Sequence, residues 1–181
     1  TGMGIEGLFE LFEQGFPSPT SSPTPAVYTP AGQPFGSLSC DPDGPLVAEV
    51  VRTTSDPFVG RLSLVRVFSG TLSPDTPLHV CGHLQQFAAH HVNGHADHDS
   101  DDERVGPLSA PLGDDARPKP YAIAGDLVLV SKLAAAETTD TLSGKARPAL
   151  VEPWLLPEPL LPVAVHAISR VDEEKLGSAL Q

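Results

Sequence analysis

Residues 44–70, GPLVAEVVRTTSDPFVGRLSLVRVFSG, decide the fold. Apolar and polar residues alternate through 45–53 and again through 61–68, on either side of an Asp-Pro turn closed by Gly60. In an extended chain successive side chains point to opposite faces, so alternation makes one face apolar. Two such runs joined by turn residues predict paired antiparallel strands of a barrel or sandwich. Arg52, Arg61 and Arg66 stand among the aliphatics. Asp56-Pro57-Phe58 reads either as a turn with Phe58 plugging the core or as part of a domain interface. Nothing in the run has the make-up of an enzyme active site.

The rest of the composition fits a turn-rich β protein. The chain has 181 residues, enough for one ordinary domain with pieces of its neighbours, and 40% of them are hydrophobic. Its 20 prolines and 16 glycines disfavour long helices. No apolar run approaches the length that spans a bilayer, and no charged-then-apolar leader opens the chain, so no membrane partner is expected. The sequence opens at Thr1 and closes at Gln181 in a helix-like stretch, which leads us to expect an excised piece of a longer cytoplasmic protein. A formal charge of −12 argues against a general nucleic-acid binder, DNA included, because such binding needs phosphate neutralisation. The acid is uneven, however: Asp97, Asp99, Asp101, Asp102 and Glu103 crowd one segment, whereas the three arginines of 44–70 outnumber Glu49 and Asp56. A local basic patch is compatible with that distribution.

Outward from the hairpin, residues 4–16 (GIEGLFELFEQGF) space Ile5, Leu8, Phe9, Leu11, Phe12 and Phe16 as a short amphipathic helix, ended by Gly15 and Pro17. Residues 17–36 are rich in Pro, Ser and Thr and read as a linker that wraps or extends rather than packs. Further strands are expected over 77–82, 104–110, 122–133 and 138–143, with Gly125-Asp126 as a bulge or turn. Residues 83–103 read as a His- and Asp-rich loop. A proline-stiffened connector at 152–159 leads to a strand over 162–168 and a helix opening at Asp172 with acids in its first turn.

Several of these segments together resemble one family. The 44–70 run resembles the opening hairpin of the second domain of elongation factor G-like translational GTPases. GIEGLFELFEQGFPSP resembles the last helix of that family's GTPase domain. Glu103-Arg104-Val105-Gly106 with Leu108, and then Ala124-Gly125-Asp126-Leu127, resemble its later barrel motifs. Thr141-Leu142 resembles a TGDTL turn, with Thr139 where glycine is usual. Pro157-Glu158-Pro159, Val163-Ala164-Val165 and residues 172–176 resemble the entry to domain III. The His-rich segment departs from the pattern and implies a divergent paralogue. The resemblance implies a mainly β fold: an antiparallel translation-factor-type β-barrel, similar to elongation factor Tu domain 2, with an N-terminal helix and a truncated C-terminal strand–helix. It also implies a layout of 1–19 as the closing helix of the GTPase domain, 20–43 as linker, 44–147 as barrel domain II, and 148–181 as connector and start of domain III. The parent is then expected to use GTP and magnesium on an upstream domain in translation elongation. This segment would dock on small-subunit ribosomal RNA and touch the GTPase domain and domain III. Arg66, which matches the family's R-V-[YF]-S-G, leads the candidates for RNA or domain contact, with Arg61 and Arg52 beside it. Surface pairing with Glu49 or Asp56 is the alternative for all three.

Catalytic patterns are missing from the sequence. A phosphate cradle needs a GxxxxGK[ST] run, and neither that nor an NKxD-like tetrad occurs, so no nucleotide hydrolysis and no cofactor are expected in this chain. No GxSxG elbow occurs, and His166 stands alone. Cys40 and Cys81 are too few for a disulfide framework and are read as structural thiols. The strongest other chemistry is histidine: His79, Cys81 and His83 alternate, so a strand points all three to one face, as metal ligands require. His90, His91, His95 and His98 follow, with Asp97 and Asp99 able to orient them. A metal-responsive His-rich barrel module is therefore the rival to the docking module, and a solvated hairpin loop is the plainer reading. A small-ligand barrel has no pocket signature to support it.

Overall fold

The computed structural model describes residues 2–56, 59–82, 98–113, 115–154 and 163–179. The N-terminal pattern forms helix α1 (Ile5–Gly15), which buries none of its residues. After β1 (Val27–Tyr28), the alternating run forms the long hairpin β2 (Val47–Asp56) and β3 (Gly60–Ser69). Its turn is braced by the Val59 amide, which donates to Asp56 Oδ1 at 2.8 Å; Pro57 and Phe58 lie outside the described residues. Then come β4 (Thr71–Leu72), β5 (Pro77–Gly82), β6 (His98–Arg104), β7 (Leu108–Leu112) and β8 (Asp115–Lys119). β9 (Ala122–Ile123), β10 (Leu127–Ser131), β11 (Thr141–Gly144), β12 (Leu150–Val151) and helix α2 (Arg170–Ala179) complete the order.

Eight strands form one antiparallel sheet in the order β6-β5-β11-β2-β3-β10-β7-β8, and two short ribbons, β4–β9 and β1–β12, flank it. The sheet curls round one core. Val50, Val65, Val67, Leu78, Val80, Val128, Val130 and Leu142 meet there from five strands, joined by Leu72 and Ala122 of the β4–β9 ribbon. Withdrawing a valine or leucine side chain fully from water contributes about 1.5–3 kcal/mol. The mainly β barrel-type architecture expected from the alternation is what forms. Among the described residues no helix is long and apolar enough to cross a membrane.

Four local expectations change. The 17–36 segment does pack: Val27 and Phe35 are buried with Val47, Ala149 and Val151 in a second cluster on the outer side of β2. The Arg147 guanidinium lies 3.9 Å above the Phe35 ring and donates to the Phe35 carbonyl at 2.8 Å. Two apolar residues among prolines leave no periodic signal, yet they cover an outer face that β2 cannot leave wet. The acidic end of the 83–103 loop is strand β6, in register with β5 through Cys81↔Asp99 and Leu78↔Glu103. The strand expected over 104–110 is broken at Gly106, where a Cβ would fall 1.8 Å from the Ser131 carbonyl oxygen. Finally, residues 163–168 form no strand. They alternate, but among the described residues no neighbouring strand supplies a ladder, and an unpaired strand gains no hydrogen bonds to hold it.

Candidate functional site

Register decides which arginines share a face. Antiparallel partners point the same way, so Glu49↔Arg66 lies on the outer face and Ala48↔Val67 and Val50↔Val65 on the core face. Simple parity would send Arg52 inward with Ala48 and Val50. A bulge between Val50 and Arg52 shifts the register, pairs Arg52 with Leu64, and turns it outward beside Arg66. Arg61, opposite Ser55, belongs to the other face. The three arginines therefore do not form one patch: two lie on the outer face of the hairpin and one does not.

Their surroundings differ as well. Arg52 is exposed, with no side-chain hydrogen bond or ion pair among the described residues. Arg66 is half-buried and donates through Nη1 to the Gly125 carbonyl oxygen at 2.5 Å. Arg61 donates through Nη1 to the Ala134 carbonyl at 2.9 Å, while its Nε is buried without a partner among the described residues.

The Arg66 contact explains the Ala124-Gly125-Asp126 motif. Gly125 has φ +99°, and an added Cβ would come within 2.9 Å of Pro19, so the turn needs a residue without one. The Gly125 amide donates to the Val67 carbonyl and the Val67 amide to the Asp126 carbonyl, at 2.8 and 3.0 Å. Asp126 Oδ2 accepts from the Ile123 amide at 2.9 Å and from Lys119 Nζ. Burial pushes the Asp126 carboxyl up, but hydrogen bonds from Lys119 and the Ile123 amide, with the charges of Lys119 and Arg66, hold it below its ordinary value. Arg66 thus clamps the turn to β3, and Lys119 clamps it to the end of β8.

Two features near this face gave no sequence signal. Glu49, opposite Arg66, is 6% exposed, and its Oε1 has no hydrogen-bond partner among the described residues. Burial pushes its carboxyl up to about 7, against the opposing effect of a hydrogen bond from the Trp154 side chain. Trp154 opens the connector after β12, so this contact ties the connector to the barrel wall.

The histidine face also forms in part. His79 and Cys81 share the side of β5 opposite Leu78 and Val80, as alternation predicts, and both are buried. His83, Asp97, His90, His91 and His95 lie outside the described residues. Instead, β6 brings Asp99 Oδ1 to 3.0 Å from His79 Nε2, and Asp101 Oδ1 to 3.0 Å from His79 Nδ1. Burial, with the charges of Asp99 and Asp140, pushes the Cys81 thiol up to about 12.

No protein-family model matches the chain. It is 54% identical, over 99% of its length, to an elongation factor G-like protein of Mycobacterium tuberculosis. It is 30% identical, over 98% of its length, to an elongation factor G of Pseudothermotoga lettingae. A crystal structure of a Thermus thermophilus protein superposes on 98% of the chain with a TM-score of 0.62 at 28% identity. The chain spans about a quarter of the length of these relatives, 25% of the first, 23% of the second and 22% of the crystal structure's chain. Fold and relatives alike point to proteins named as elongation factor G or elongation factor G-like. More narrowly, the chain is a fragment of an elongation factor G-like protein.

Proposed function

We propose that this β-domain is the ribosome-docking and relay element of a GTP-dependent elongation factor, non-catalytic in itself. The observation that carries the proposal is the 54% identity across nearly the whole chain to an elongation factor G-like protein. In this reading the parent binds GTP and magnesium on an upstream domain whose closing helix lies in residues 1–19, residues 44–147 dock on small-subunit ribosomal RNA, and residues 148–181 lead into a third domain. The geometry supports two distinct roles on the outer hairpin face. Arg52, exposed, offers a planar guanidinium to phosphate or backbone oxygens. Arg66 fixes the shape of the 124–126 turn beside it and acts through that turn. A metal-responsive module is not favoured as the main function, since the relatives are named as elongation factors.

Ribosome co-sedimentation of the full-length protein with a non-hydrolysable GTP analogue tests the docking role. Arg52→Ala is expected to lower affinity about tenfold, the loss of one charged contact. Arg66→Ala is expected to lower both affinity and thermal stability. Unchanged retention of both variants removes this face from docking.

A further inference from the structure

Beyond docking, and independently of it, we propose that His79, Cys81 and Asp99 form a binding site for a divalent transition-metal ion of the zinc class, with Asp101 orienting the histidine. One nitrogen, one sulfur and one carboxylate oxygen from the adjacent strands β5 and β6 lie within 4.8 Å of one another. That donor set suits zinc or cobalt and not the hard cations, which take oxygen alone.

The orientation of His79 is the argument for a cation. Its Nδ1 meets Asp101 Oδ1 at 3.0 Å in hydrogen-bond geometry. A carboxylate there accepts a hydrogen bond from Nδ1–H, which fixes the tautomer and leaves the Nε2 lone pair free, as the carboxylate–histidine pairs behind metal sites do. Yet Nε2 is buried, lies 3.0 Å from Asp99 Oδ1, and makes no hydrogen bond among the described residues. In the neutral ring two electron-rich atoms then face each other across 3.0 Å, with the Cys81 sulfur beside them, and a cation between them removes the repulsion.

The geometry is close to closed. Metal–ligand distances of about 2.0–2.3 Å put tetrahedral ligands roughly 3.3–3.8 Å apart. Asp99 can supply the remaining movement, because its side chain is exposed where His79 and Cys81 are buried. The same exposure gives the ion a path in and leaves the fourth position to water. Bound as thiolate and carboxylate, Cys81 and Asp99 neutralise a 2+ ion, and the Cys81 proton leaves to solvent.

The test is a cobalt(II) titration of the chelator-treated 181-residue chain, followed by thiolate-to-cobalt charge-transfer absorption, with zinc competition. One equivalent is expected to bind and to produce the band. Cys81→Ser is expected to abolish the band. His79→Gln and Asp99→Asn are expected to lower affinity at least about tenfold, and Asp101→Asn about tenfold through the ring it orients. Absence of the band in the unaltered chain overturns the proposal. So does binding that Asp99→Asn and His79→Gln leave unchanged, which would assign the ion to the loop histidines. Should Cys81→Ser or His79→Gln fail to fold, the exposed Asp99→Asn variant decides alone.

Discussion

Glu49→Gln isolates the electrostatic cost of one buried carboxyl. In the folded chain that group titrates at about 7, against an ordinary 4.5, because the barrel wall withdraws it from water. An acid whose folded pKa is raised holds its proton more tightly when folded. Its contribution to stability is full below pH 4.5 and is lost as pH rises through about 7. At about 1.36 kcal/mol per unit, the whole difference is about 3 kcal/mol, of which about 2 kcal/mol falls between roughly pH 5 and pH 7.5. Glutamine keeps the size of the side chain and an oxygen for the Trp154 hydrogen bond, and it does not ionise. Urea unfolding of both proteins at about pH 5 and pH 7.5, followed by circular dichroism, gives a double difference in which the other titrating groups cancel. The variant's margin over the unaltered chain is expected to grow by about 2 kcal/mol from the lower pH to the higher. An identical pH dependence in the two proteins refutes the reasoning, since Glu49 would then carry no desolvation cost.

Three further outcomes are expected. Gly106→Ala should destabilise the chain by about 3 kcal/mol, because the new Cβ meets the Ser131 carbonyl, whereas Gly144→Ala, with open space around it, should change thermal stability little. Phe35→Ala should cost about 3 kcal/mol in a urea melt, since it removes both a buried ring of the second cluster and the surface beneath Arg147. Cys40, half-exposed, should alkylate in the native chain near neutral pH, while Cys81, buried with its thiol pushed up to about 12, should react only after unfolding, as mass spectrometry of labelled peptides would show.

The central hairpin was legible because one of its faces is apolar along nearly its whole length. The bulge at Val50 and Arg52 was not: it follows from fitting two twisted strands together, and it alone decides that Arg52 faces outward. Strand β6 reads HDSDDER, and an edge strand with acids on both faces carries no period to detect. The two-residue strands β1 and β12 are too short for any pattern. Among site residues, the shared face of His79 and Cys81 follows from alternation within one strand. Asp99 and Asp101 as their neighbours depend on pairing across the segment between β5 and β6, which spacing cannot supply. Thr139, where the resembling family has glycine, sits at φ 80°, so the backbone demand persists although the residue that meets it without strain is gone.

The β1–β12 pair has a mechanical consequence. Val27 stands opposite Val151, Tyr28 opposite Leu150, and the Glu152 amide donates to the Ala26 carbonyl at 2.9 Å. The chain therefore enters and leaves this ribbon at the same end. Tension between the two flanking segments loads its hydrogen bonds one after another, each worth about 1 kcal/mol net, in the manner of a zip and not of a sheared seam. Once the Trp154 contact to Glu49, which lies outside the ribbon, has parted, the ribbon yields at low force.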